Sequence, residues 1–214
     1  MTFSPALAES EAPQRFPWSK TPDESRAREV LISALRTDAL RIEEVTLSSG
    51  AKAEYFVDAK RVTLQQPGFA ALATLLSGAI RHFRATAVGG LTIGADPVVC
   101  SAVSACRDVK GFLIRKQRKE HGLQRWIEGP ELFPKDRCLI VDEVVTQGGS
   151  VTTAIERMQD HGLTVVGVVA VLDRQAGGAK IVEAAARAPF LALTSIDEVY
   201  PERPDRREDP GRRD

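Results

Sequence analysis

The sequence predicts an α/β fold, a central parallel sheet flanked by helices, and three observations predict it. Short, continuously apolar runs such as "CLIVD" (138–142) and "TVVGVVAVLD" (164–173) alternate with segments of helical period. A strand that is apolar at every position is covered on both faces, which is the setting of a parallel sheet. The chemically unusual residues cluster at 89–97, 115–122, 142–150 and 173–174, each just after a predicted strand. In open α/β sheets, ligands bind at those carboxyl ends.

Taken in order, residues 1–22 carry several prolines and no periodic pattern, so a disordered arm is expected there. Residues 23–66 form an N-terminal segment. Its helix is predicted over 22–40, with Val30, Leu31, Ala34 and Leu35 on one face and acidic residues at its start. "VTLSSGAKAEYFVDA" (45–59) reads as two short strands around "SSG". The core is expected over 67–200. A helix over 68–83 follows Pro67, and "ATAVGG" (85–90) is a buried strand. The helix over 96–106 takes Asp96 as N-cap and Pro97 at its first position. Strands follow at 111–115 and 138–142, then a helix at 150–162 and a strand at 164–173. A helix at 179–188 and a strand at 190–193 complete the pattern. The segment 201–214 is charged and proline-bearing, so it is expected to be a disordered tail.

The 214 residues suffice for one ordinary domain with a full core, and 43% hydrophobic with 27% charged residues are globular values. The formal net charge is zero, which argues against nucleic acid or an anionic membrane as partner. The apolar run "AALATLLSGAI" (70–80) is far short of the ~20 residues that span a bilayer. No secretory signal is visible at the N-terminus. Cys100, Cys106 and Cys138 include no CxxC pair and sit in apolar context. They read as reduced core thiols of a cytoplasmic protein rather than as metal ligands or a disulfide.

The segment "DEVVTQGGS" (142–150) joins a strand to a helix. The backbone N–H groups of Thr146, Gln147, Gly148, Gly149 and Ser150 can converge there, and a helix N-terminus adds partial positive charge. That is a phosphate cradle. It matches neither the dinucleotide glycine pattern nor a P-loop. Asp142 and Glu143 stand beside it, followed by Val144 and Val145. Ionised carboxylates only accept hydrogen bonds, so they suit vicinal hydroxyls on the same ligand. A sugar 5-phosphate satisfies both halves.

A second constellation is "RKQRKEHG" (115–122), where Arg115, Lys116, Lys119 and His121 gather positive charge ahead of a loop-like segment. Such charge is most useful over a departing anion.

These residues carry a resemblance. "CLIVDEVVTQGGS" is similar to the phosphoribosyl-diphosphate-binding motif of type I phosphoribosyltransferases. The basic segment resembles the catalytic loop of the orotate phosphoribosyltransferases within that family. "TLSSGAKAEYFVDAKRVTL" (46–64), "VGGLTIGADPVV" (88–99) and "LDRQAGG" (172–178) resemble that group's hood segment, diphosphate loop and base-contacting segment, in the same order.

The resemblance implies the type I phosphoribosyltransferase fold with a small N-terminal hood. It implies transfer of phosphoribosyl from phosphoribosyl diphosphate to orotate, giving orotidine 5'-monophosphate and diphosphate, a step of UMP biosynthesis. Thr146 to Ser150 would hold the 5-phosphate, and Asp142 and Glu143 the ribose hydroxyls. Arg115, Lys116, Lys119 and His121 would cover the diphosphate, with Lys116, Lys119 and His121 catalytic. Thr146 and Arg174 would contact orotate. Mg²⁺ would be held through substrate diphosphate and ribose oxygens, with no assured direct protein ligand. A homodimer with shared active sites is implied as well.

The chain also departs from the family pattern. Its acids run Asp-Glu, Gln147 replaces a small residue, and Ser48 stands where many orotate enzymes have lysine. Lys60 and Arg61 are the cations that could replace that lysine, and "GADP" lacks the lysine of some diphosphate loops. A relative acting on another base, or a non-catalytic regulator that binds phosphoribosyl diphosphate, is the alternative reading.

Overall fold

The computed structural model describes residues 21–46, 52–117 and 126–206. Helix α1 (Pro22–Ala34) opens with a capping box. Thr21 Oγ1 accepts from Glu24 N–H at 3.2 Å, and the Glu24 carboxylate accepts from Thr21 N–H at 3.4 Å. The helix predicted over 22–40 is α-helical only to Ala34, and a π-helical turn, Leu35–Ala39, completes it.

Short strands β1 (Leu40–Arg41), β2 (Val45–Thr46), β3 (Lys52–Ala53) and β4 (Phe56–Val57) follow. β2 and β3 pair antiparallel around the expected turn, with Val45 opposite Ala53. β1 pairs antiparallel with β4, which the sequence pattern did not show. Helices α2 (Lys60–Thr63) and α3 (Gly68–Phe83) lead into the core.

The core elements are β5 (Ala87–Leu91), α4 (Asp96–Ala105), β6 (Lys110–Ile114), β7 (Ile127–Glu128), β8 (Arg137–Val145), α5 (Gly149–Asp160), β9 (Thr164–Asp173), α6 (Gly178–Ala186), β10 (Phe190–Ser195) and α7 (Ile196–Val199). One six-stranded sheet runs in the order β10-β9-β8-β5-β6-β7. Every neighbouring pair is parallel except β6 and β7. The central sheet is parallel as expected, and the short antiparallel strand β7 is added at its edge. It lies in a stretch read as loop, because two residues are too few for a period.

Successive residues of β8 serve opposite faces. Leu139 and Val141 join Leu31, Leu72, Leu75 and Val98 under α1, α3 and α4. Cys138 and Ile140 join Ile155, Met158 and Val182 under α5 and α6. Both faces are thus apolar, as the continuous runs implied. Burial pushes the Cys138 thiol up to about 12, so it stays protonated. The expectation of three core thiols fails at Cys100, which is exposed on α4, while Cys106 is half-buried.

Two further expectations are corrected. Asp96 is not the N-cap of α4. Ala95 already has helical φ −73° and ψ −18° and takes that place, which moves Asp96 inside the helix. Residues 201–206, expected to belong to a disordered tail, pack against the body, where Arg203 is only 9% exposed and pairs with Asp197; 207–214 lie outside the described residues. Among the described residues, no helix is long and apolar enough to cross a membrane.

Candidate active site

The strand order sets the site. β5 is flanked by β6 on one side and β8 on the other, so the chain leaves these strands toward opposite edges of the sheet. Such a reversal opens a crevice at the strand ends. The segment after β5 and the segment closing β8 border it.

β8 does not stop at the acids. It pairs with β9 through Asp142 opposite Ala170 and Val145 opposite Asp173. The ladder uses backbone groups only, so carboxylates can occupy its last positions. Asp142 is 5% exposed and Glu143 half-buried. Burial pushes the Asp142 carboxyl well above the usual range. The Glu143 side chain, as an acceptor for protonated Asp142 and as a like charge, pushes the same way, and the Glu143 backbone and then Lys116 oppose it. Asp96 is raised too, by burial and then by the Glu143 charge, and its buried Oδ1 has no hydrogen-bond partner. A Cβ on Gly94 would fall 2.0 Å from both Glu143 carboxylate oxygens. Glycine at 94 is therefore what lets the β5 segment close over the acid.

Thr146 and Gln147 form the turn, with Thr146 half-buried and Gln147 exposed. Gly178 N–H donates to the Thr146 carbonyl at 3.1 Å, which ties the turn to α6. Gly148 caps α5 in the left-handed region, φ 82°, and has no side chain to cap with. The first amides of a helix have no acceptor within it. With no capping side chain at Gly148, they are left to bind an anion. A Cβ at Gly149 would meet nothing within 4 Å, so the turn is open on that side. Ser150 lies exposed in the first turn of α5.

Arg174 follows β9 and is held to β8 by its N–H, which donates to the Val145 carbonyl at 2.8 Å. Its guanidinium lies over the Tyr55 ring, 4.3 Å from the centroid, and its buried Nε has no partner. Tyr55 was not singled out from the sequence. It belongs to "AEYFVD", and the stacking depends on a fold that brings residues 55 and 174 together.

Arg115 and Lys116 follow β6. Arg115 N–H donates to the Trp126 carbonyl at 2.9 Å, and the guanidinium pairs with Glu128 at 3.5 Å. Lys116 is exposed, on the side from which its charge reaches Asp142. Lys119 and His121, together with Ser48, lie outside the described residues. Of the cations near the Ser48 segment, Lys60 is paired with Asp58 at 2.9 Å and Arg61 is exposed. The described structure thus places Lys116, Asp142, Glu143, the 146–150 turn and Arg174 at the carboxyl ends of β6, β8 and β9, and turns Arg115 toward Glu128.

The model of the phosphoribosyl transferase domain matches residues 59–189. An orotate phosphoribosyltransferase of Corynebacterium glutamicum is 39% identical over 176 residues, covering 82% of this chain and 95% of the relative. One of Streptomyces avermitilis is 39% identical, covering 80% of this chain and 96% of the relative. Among solved structures, the orotate phosphoribosyltransferase of Mycobacterium tuberculosis in complex with 5-phospho-α-D-ribosyl 1-diphosphate superposes with a TM-score of 0.68 at 34% identity. That match covers 83% of this chain and 99% of the other. The fold and the sequence lead to one conclusion: the chain belongs to the phosphoribosyltransferase family, among the orotate phosphoribosyltransferases.

Proposed function

We propose that this chain transfers phosphoribosyl from phosphoribosyl diphosphate to orotate, giving orotidine 5'-monophosphate and diphosphate. The observation that carries the reading is the pairing of an uncapped helix N-terminus with two carboxylates on the adjoining strand end. One ligand that offers a phosphate and a vicinal diol answers both.

The roles follow from chemistry. The first amides of α5 and the Thr146–Ser150 turn hold the 5-phosphate. In the ligand-free site Asp142 is buried beside Glu143, and burial with that neighbour favours its protonated form. A ribose diol brings hydroxyl donors, which the carboxylate oxygens of both residues can accept. Arg174 pairs with the orotate carboxylate in a planar, two-point contact. Positive charge from Lys116, Lys119 and His121 stabilises the departing diphosphate. The reaction needs no covalent nucleophile: position, charge and exclusion of water suffice.

Mg²⁺ belongs to this reading as a cation held mainly by substrate oxygens. Among the described residues no group of three or more His, Cys, Asp or Glu side chains is arranged to hold a metal ion, and the buried Asp96 Oδ1 near Glu143 is an acceptor without a partner. When bound, Mg²⁺ neutralises diphosphate charge. The reading also takes the enzyme to be a cytoplasmic homodimer in which the basic loop of one subunit serves the site of its partner.

The test is loss of orotate in the presence of phosphoribosyl diphosphate and Mg²⁺. Turnover of a purine or uracil instead would refute the orotate assignment, and turnover of no base would favour a regulator. Mixing Lys119→Ala subunits with Asp142→Ala subunits should restore part of the activity. No recovery in the heterodimers would refute shared sites.

A further inference from the structure

The C-terminal segment reaches the candidate base site by two routes. On the first, the Tyr55 hydroxyl donates to both carboxylate oxygens of Asp205 at 3.1 Å, and the ring edge meets Tyr200 at a centroid distance of 5.3 Å. Tyr55 is 2% exposed, and the Arg174 guanidinium covers its ring. On the second, the buried Arg203 bridges Asp197 and Asp205, the latter at 3.1 Å. Asp197 accepts in turn from the Gln175 amide nitrogen at 3.1 Å, with that amide oriented to donate. Gln175 is the residue next to Arg174. One short segment therefore holds both the ring beneath the guanidinium and the backbone neighbour that carries it.

We propose that residues 200–206 are a positioning strap for the orotate carboxylate: Asp205 fixes the Tyr55 ring, and the ring fixes the plane of the Arg174 guanidinium. The proposal rests on the assignment of Arg174 to orotate made above. Its physical basis is preorganisation. A free arginine side chain samples many rotamers, and a two-point contact with a carboxylate requires one plane. Ordering that plane before the ligand arrives removes the loss from the binding step. The effect belongs to orotate binding, and neither phosphoribosyl diphosphate nor the chemical step should feel it. Asp205 is exposed apart from these contacts, so its replacement leaves the core intact.

The test compares D205A, D205N, R174A and the double variant in the full chain, by steady-state kinetics and thermal melting. D205A should raise the orotate KM by about three- to tenfold, with kcat and the phosphoribosyl diphosphate KM within about twofold of the parent. D205N keeps an oxygen that accepts from the Tyr55 hydroxyl, and should recover most of the loss. On the R174A background, D205A should add nothing further to the orotate KM. If R174A raises the orotate KM while D205A leaves it unchanged, the strap is overturned and the Arg174 assignment stands. A fall in melting temperature with no change in orotate KM overturns it equally, since a merely structural contact gives that result. If R174A itself leaves the orotate KM unchanged, the assignment of Arg174 fails and the strap fails with it.

Discussion

Gly148→Ala tests whether the turn at the end of β8 is built as the structure indicates. Gly148 sits at φ 82° and ψ 1°. An L-residue held in the left-handed region costs about 1–2 kcal/mol. Space adds to this. The new Cβ would lie 2.9 Å from Val182 Cγ2 and 3.2 Å from the Gly178 carbonyl oxygen. Val182 is fully buried beneath α6, so the contact can relax only by shifting that helix. Overpacking of this kind costs about 1–3 kcal/mol. The sum is a destabilisation of about 2–5 kcal/mol, read as a lower urea midpoint with an unchanged slope. The displaced turn should also raise the KM for phosphoribosyl diphosphate. Gly149→Ala is the internal control for stability, because nothing lies within 4 Å of its Cβ and its φ is not in the left-handed region. If the two alanine variants unfold at the same midpoint, the account of the turn is wrong.

Two further outcomes concern titration. Burial raises the Asp142 carboxyl, so its contribution to stability is intact below the usual carboxylate range and is lost as pH rises through the folded-state value. Asp142→Asn should therefore melt higher than the parent at neutral pH while losing transferase activity, and the advantage should fade toward acid. A pH-independent difference would contradict this. Asp136 behaves oppositely. It accepts from Lys110 Nζ at 2.8 Å, Phe133 N–H at 2.8 Å and Thr86 Oγ1 at 3.0 Å, and these bonds, Lys110 first, hold it below its usual range. That stabilisation is present above the usual carboxylate range and is lost as pH falls through the folded value. Asp136→Ala should cost about 2–3 kcal/mol at neutral pH, measured by urea unfolding, and less in acid.

The sheet was legible because its strands are apolar throughout, and the phosphate turn because glycines and a helix start share one register. What escaped has local causes. β7 is two residues long, and its pairing to β6 depends on Leu113 and Glu128 meeting across a connection whose length hides the partnership. Asp96 followed by Pro97 looks like a cap, yet Ala95 had already turned helical. The carboxyl-terminal order rests in part on the contact of Asp205 with Tyr55, 150 residues away in the chain. No window along the sequence reveals a contact of that span. The charge of 201–206 suggested a solvated tail, while three of its charges are satisfied within the protein.

The acid pair shows why the ligand-free site is a compromise. A chain optimised for stability alone would not bury Asp142 against Glu143, because burial and the Glu143 charge disfavour ionisation of Asp142. The arrangement becomes favourable only when hydroxyl donors arrive. A diol satisfies the acceptors, and added positive charge lowers the penalty of ionising Asp142. The Asp-Glu order can be understood on the same terms. The shorter Asp142 stays within the strand end, while the longer Glu143 reaches the space that Gly94 leaves open and raises Asp96 from there. The second acid is thus fitted to the loop after β5 as well as to the turn after β8. A Gly94→Ala substitution would force the Glu143 carboxylate out of that space, so residue 94 and residue 143 should vary together in their effect on ribose binding. In a double-mutant cycle with Glu143→Asp, whose carboxylate is one methylene shorter, the coupling should exceed about 0.5 kcal/mol in the KM for phosphoribosyl diphosphate. Simple additivity would show that Gly94 closes on the acid without positioning it.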